Sequence, residues 1–333
     1  MAQIFILEKI SKNFKNFLLR KFFLNIRIIS IKLFKMILKY LLHLSSLEDP
    51  IQIFSDSKSL QSFKQICKTI YFSRGFKFDY DAFLVHNFDK FLLAILNYFY
   101  EKRGELVFDS DNHQYTVAFG QTIYLANNLV VNSMKCSEKC ITNGLLDIYL
   151  KFLNDENFIQ KNLNAKVDFI EKTSNFLDQL VMVLKNLTEK TCDNYKHLYL
   201  NSNVPETMVK IAKMKETCKL DAYLTLIYVC SDSHLEDLVE IDSVLNLIFK
   251  LIQKCYNEFR DEKFFRQKFE INFNENYMNY EVHCIKYAKL TSVSMDSLLD
   301  SFYRLSINDK IKIFIYFKLE INSYLQEFLQ IGN

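Results

Sequence analysis

Six histidines and eight cysteines are the residues of this chain best suited to catalysis or metal binding, and their spacing limits what they can do. The histidines (His43, His86, His113, His197, His234 and His283) are isolated, and no two stand four apart, so the HExxH pattern that sets two imidazoles on one helix face is absent. His283 adjoins Cys284. Neighbouring side chains on a helix diverge by about 100°, so these two cannot hydrogen-bond as a nucleophile and its base. Cys136 and Cys140 could share a helix face, but no second Cys or His pair at zinc-finger spacing follows them. Asp109, Asp111 and His113 could surround a cation, yet the glycine and closing glutamate of a calcium loop are missing, and a solvated loop is expected there. On these spacings we expect no catalytic residue, no cofactor-binding residue and no metal ligand, and a chain that is not an enzyme.

Glycine use excludes further classes. Loops that cradle phosphates or dinucleotides need two or three glycines close together so that the backbone can approach the ligand. Gly75, Gly104, Gly120, Gly144 and Gly332 are all more than ten residues apart. With only Pro50 and Pro205 besides, the chain lacks the punctuation of a sheet built on many tight turns. Composition is globular, 50% apolar and 24% charged, with Phe and Tyr supplying large side chains for a core. Eight dispersed cysteines without a secretory signal suggest reduced thiols, and a cytoplasmic location is expected.

The elements behind these residues read as helices. The organising stretch is Tyr124 to Asn157, two helices joined by a turn at Asn143-Gly144. Leu145, Leu146, Ile148, Tyr149, Phe152 and Leu153 lay one apolar stripe along a helix, with Asp147 and Lys151 facing water. Leu125, Leu129, Val130 and Met134 form a second stripe that a lone helical hairpin covers only in part, so neighbours of the same kind are needed. Upstream, stripes run through Leu60 to Tyr71 and through Phe83 to Phe99, the second ending at Lys102-Arg103-Gly104. Residues 105–117 fit a short hairpin or an irregular loop equally.

Downstream, Leu177 to Leu187 form a stripe followed by polar joints at Thr188 to Asn194 and at Asn201 to Pro205, where proline suits the first turn of a helix. Ala222 to Cys230 reads as a buried helix, Ser231 to His234 as its joint, and Val244 to Ile252 as the next apolar face. Residues 256–290 show no clean period, and a last unit follows from Leu298.

Residues 1–47 hold nine lysines and arginines against Glu8, a net +8 that leaves −5 for the rest of a chain whose total is +3. No uncharged run there approaches the ~20 apolar residues of a membrane span. Three readings stay open for this segment: a basic first helix pair, an amphipathic surface for anionic membranes or nucleic acid, and a mitochondrial presequence.

Laid over one another, Asn132, Ser231 and Ser306 each precede Leu145, Val244 and Leu319 by thirteen residues. Such units resemble armadillo repeats, in which a helix ending near Asn or Ser is followed by a short helix and a long one opening on a Gly-Leu-like step, here best matched by Ile141 to Leu153. The run from Leu298 to Lys318 is also similar to the repeat part of invertebrate multidomain proteins that place such arrays before a Toll/interleukin-receptor-type or kinase domain. The resemblance implies an all-α fold, a right-handed armadillo/HEAT-like α-solenoid with degenerate repeats. Residues 1–49 would be a basic N-terminal helical segment and 50–333 the array, expected to be truncated at its C-terminus.

It further implies a scaffold that binds a protein partner along a concave groove through the long third helices, here the faces of residues 145–153 and 244–252. The alternative is the regulatory array of a signalling enzyme whose catalytic domain is absent from this chain. A weak contact between residues 1–47 and anionic membrane is allowed, and nucleic acid is disfavoured because no RRM, KH or zinc-finger pattern is present.

Overall fold

The computed structural model describes residues 61, 63, 80, 81, 84, 87–104, 113–163, 167–169, 172–230, 235–252, 295–309, 311, 312 and 315. Outside them lie the segment 1–49 and its boundary, nearly all of the stripe from Leu60 to Tyr71, residues 105–112, the joint at 231–234, and residues 256–290. The chain divides into two compact units, Met1–Thr191 and Cys192–Asn333. The described residues are helical apart from turns and one small two-stranded sheet, which gives an all-α fold.

In the first unit, α1 (Phe88–Glu101) buries Phe88, Phe91, Leu92, Ile95, Leu96 and Phe99, the three-and-four spacing of one helix face. It starts at Phe88 rather than Phe83 because Asn87 adopts left-handed backbone at φ 53°, while Leu84 sits in a 3-10 turn. Arg103 Nη1 closes its end by donating to the Tyr100 carbonyl at 2.9 Å, the placement a helix C-terminus favours.

The next helix, α2 (His113–Asn132), corrects the hairpin reading where it can be followed, since residues 113–117 are its first turns. Every residue from Ala118 to Val130 is buried, so α2 is enclosed on all sides rather than along one stripe. Ser133 then interrupts the helix and caps α3 (Met134–Thr142), its Oγ accepting from the Cys136 N–H at 3.0 Å.

The turn expected at Asn143-Gly144 is present, with Gly144 at φ 96° opening α4 (Leu145–Asn154). Asp147 and Lys151 face solvent as read from the sequence, yet Leu150 is also buried, so α4 is covered beyond a single face. Asp155 ends it and caps α5 (Glu156–Asn162), accepting from the Phe158 N–H at 2.9 Å. A short antiparallel pair follows, β1 (Val167–Phe169) with β2 (Lys172–Ser174), Val167 standing opposite Ser174.

The polar joint expected at Thr188 to Asn194 lies too early: α6 (Phe176–Asn201) stays helical through it and kinks one residue later, at Tyr195, where φ is −123° and ψ 20° and two helical segments meet. The polar side chains there do not solvate a loop. Thr188 and Thr191 are buried and return their hydroxyls to the carbonyls of Lys185 and Leu187, at 2.8 Å each.

The second unit begins within α6. The joint at Asn201 to Pro205 is confirmed: Asn203 is left-handed at φ 55° and Pro205 lies in the first turn of α7 (Val204–Met214). After a 3-10 turn at Glu216–Cys218 comes α8 (Lys219–Cys230), buried continuously from Leu224 to Cys230 as its sequence implied. Then follow α9 (Leu235–Leu238), α10 (residues 241–252) and α11 (Met295–Ile307). Cys192 Sγ donates to the Tyr228 carbonyl at 2.9 Å. Arg304 forks onto Asp193 at 3.0 and 3.2 Å, reaches Asp300 at 3.1 Å, and lies 4.9 Å above the Tyr228 ring.

A recurrence runs through these elements. Asn87, Gly144 and Asn203 are the described residues with left-handed backbone, each opens a helix, and they stand 57 (87 to 144) and 59 (144 to 203) residues apart. Contacts inside the first unit keep a similar separation. Arg103 pairs with Asp155 and Ser133 with Asp81, both 52 residues apart, Asn143 bonds Asp89 across 54, and Asn186 bonds Asn127 across 59.

Because both members of each pair advance together, the contacts also give direction. Asp89–Asn143, Tyr100–Phe152 and Arg103–Asp155 make α1 parallel to α4. Phe119–Phe176 and Asn127–Asn186 make α2 parallel to the first part of α6.

Among the described glycines, Gly144 is the one with left-handed backbone. A Cβ would meet only Asp147 Oδ2 at 3.7 Å and Leu93 Cδ2 at 3.9 Å, which is ordinary contact. The left-handed conformation itself is therefore the obstacle, and Gly144→Ala should cost about 1–2 kcal/mol in a urea melt. Gly144→Asn should cost less, since asparagine already occupies that conformation at the equivalent helix starts.

Candidate functional site

Among the described residues, those suited to chemistry are not brought together. Of the histidines only His197 has a described side chain, exposed on α6, and Asp109 and Asp111 lie outside the described residues. Cys136 and Cys140 do share the inner face of α3. Cys136 Sγ donates to the Tyr80 carbonyl at 3.3 Å, and burial, followed by the nearness of Cys136 and Asp89, pushes the Cys140 thiol far above its usual range. A thiol held neutral is a poor nucleophile. Cys192, Cys218 and Cys230 are likewise buried and unbridged. Among the described residues no group of three His, Cys, Asp or Glu could hold a metal ion, and no helix is long and apolar enough to cross a membrane.

What the fold does assemble is a polar seam between parallel helices α2 and α6. Asn127 and Asn128 lie inside the apolar run Leu125 to Val130, and Lys185 and Asn186 lie inside Val183 to Leu187. Asn128 and Asn186 each precede a leucine, at positions 58 residues apart (128 to 186). Asn186 Nδ2 donates to Asn127 Oδ1 at 2.6 Å. Lys185 is only 2% exposed and its Nζ meets Glu189 Oε2, one turn on, at 3.0 Å. Burying a lysine demands such a partner.

Further along the same helices, Gln121 and Gln179 are buried, and Gln121 Oε1 accepts no hydrogen bond among the described residues. Partly accessible residues on this part of α6 are Asp178, Met182, Asn186 and Glu189, a spacing that draws one strip along the helix beside the seam. Amides that both donate and accept, flanked by carboxylates, suit hydrogen bonding to a polypeptide.

The faces read from the sequence as partner-binding have a different geometry. Residues 145–153 form part of a ten-residue helix, against 20 residues for α2 and 26 for α6, so they are not the long helix of the unit. Asp155 stops the helix early and begins α5. The apolar side chains of α4 point into the core, as do Val244, Leu245 and Ile248 of α10. Asp147 and Lys151, with Asn246 and Lys250, are what those helices leave exposed. The seam was missed because an Asn or Lys within a stripe was read as its solvent side. The signal in the sequence was faint: Asn128-Leu129 and Asn186-Leu187 stand inside otherwise apolar runs 58 residues apart (128 to 186), but Asn246-Leu247 has the same surroundings and Asn246 is exposed.

No known family, curated protein or solved structure matches the chain.

Proposed function

We propose that the chain is a non-catalytic interaction scaffold, an armadillo-like α-solenoid that holds an extended segment of another protein along the accessible strip of α6. The observation that carries this reading is the parallel register of α2 with α6 and of α1 with α4 at a near-constant sequence interval. Equivalent helices that stack in parallel are how a repeat array buries its faces and leaves one continuous surface. The interval of 52–59 exceeds the ~40–47 residues of armadillo and HEAT repeats. Residues 156–175, which hold α5 and the strand pair, fall inside only the widest of these intervals, Asn127 to Asn186, so the 52- and 54-residue intervals are long without them. From Asn203 to Glu240, just before α10, the interval shortens to 37 residues (203 to 240). The scaffold acts by recognition alone, with buried thiols and isolated histidines taking no part.

The test is selection of random peptides on the immobilised full chain, followed by titration against the wild type and Asn186→Ala. Enriched peptides should bind the variant about 3–10-fold more weakly, the worth of one or two hydrogen bonds, measured at a temperature where both forms are folded, because the variant also takes the donor from buried Asn127 and should melt lower. Peptides that bind both forms equally, or failure to enrich any, would remove the strip from the proposal.

A further inference from the structure

Asn143-Gly144 joins α3 to α4, and this turn has a chemistry of its own. An asparagine followed by glycine is the dipeptide most open to attack on its own side chain, because glycine leaves the next backbone nitrogen unhindered. That nitrogen attacks Asn143 Cγ, the Cγ–Nδ2 bond breaks, and the amide leaves as ammonia, carrying away the proton from the Gly144 nitrogen. A five-membered cyclic imide remains. Water then opens it at either carbonyl to give aspartate or isoaspartate, with no oxidant, reductant or catalyst required.

In the folded chain both reacting groups are held. Asn143 Nδ2 donates to Asp89 Oδ2, and the Gly144 N–H donates to the Ile141 carbonyl at 3.0 Å. Asp89 is 8% exposed and sits in the first turn of α1, so the bond ties the start of α1 to the turn before α4. The side chain is half-buried rather than sealed, so water can reach the turn. We propose that Asn143-Gly144 is a self-modification site that the Asp89 hydrogen bond keeps closed, and whose deamidated product is repelled from that contact. The only donor to Asp89 in this pair would become a second carboxylate, and two like charges facing each other at a half-buried site repel. Modification would thus convert the attachment of α1 to α4 into a repulsion, a slow one-way change in the folded chain.

The experiment incubates the full chain, folded and in urea, at about pH 8, where carboxylates are fully ionised, and follows conversion of the peptide containing Asn143 by mass spectrometry. Asp89→Ala should speed conversion in the folded protein about tenfold, the factor set by loss of a charge-assisted hydrogen bond. Asn143→Asp, which imitates the product, should lower the melting temperature at neutral pH. That loss should shrink on acidification: the facing carboxylates have raised folded pKa values, so repulsion is present above them and relieved below.

Folded wild type converting as fast as the chain in urea would overturn the proposal. So would an Asn143→Asp melting temperature equal to wild type. Should Asp89→Ala not fold, those two measurements decide the matter without it.

Discussion

Replacing Phe119 by alanine should destabilise the first unit by about 3–5 kcal/mol, the range for emptying a buried aromatic site. Phe119 is fully buried on α2, and its ring lies 5.3, 5.0, 6.2 and 4.8 Å from those of Phe99, Phe152, Phe158 and Phe176. Those rings come from α1, α4, α5 and α6, so one truncation loosens five helices at once. Urea unfolding followed by circular dichroism should show the midpoint falling with the slope unchanged. As a reference, Phe249→Ala removes a half-buried ring that, among the described rings, meets Phe302 edge-on at 5.1 Å, and it should cost clearly less. Equal losses for the two variants would refute a Phe119-centred core.

The second large effect is expected at Asp155. Its carboxylate caps α5 and pairs with Arg103, whose guanidinium also lies 4.3 Å above the Tyr100 ring. Asp155→Ala should cost about 2–4 kcal/mol, combining a lost cap with a lost charge-assisted bond. Burial raises the Asp155 pKa, but the Phe158 N–H and Arg103 outweigh it and hold the carboxyl below its usual value. A lowered folded pKa means stabilisation that is full above the unfolded value of about 3.9 and lost as pH falls through the folded one. The gap between wild type and Asp155→Ala should therefore be constant from about pH 6 to 8 and close only below about pH 4. A gap that widens on acidification would mean that Asp155 does not hold Arg103 as its carboxylate.

Where the sequence was legible, glycine and proline made it so. Gly144 fixed the turn before α4, and Pro205 fixed the start of α7. Asparagine carries the same backbone signal more quietly, so Asn87 went unread and α1 was begun too early. The larger misreading came from equating polar with exposed. Thr188, Thr191 and Lys185 satisfy their polar atoms within their own helix, which lets α6 continue through a stretch whose composition resembles a joint.

The same equation hid the seam, where Asn127 and Asn186 satisfy each other. It also hid the first half of α2, which begins at His113 and whose polar residues lie among apolar ones on every side. The strand pair had a faint signal, Val-Asp-Phe and Lys-Thr-Ser around Ile170-Glu171, too short to weigh against the helical pattern on both sides.

The even spacing of the partners in the first unit bears on how the chain acquires its fold. Pairs 52, 54 and 59 residues apart tie successive helices together, and each closes a loop of nearly the same length. Closure entropy rises only with the logarithm of that length, so no one of these contacts is the slow step on entropic grounds. Translation adds ~5–20 residues per second, so each partner follows its mate out of the ribosome within roughly 3–12 seconds. A helix of this unit therefore waits for the next of its kind, not for the end of the chain, and the part of its face that this counterpart covers stays open for seconds during synthesis.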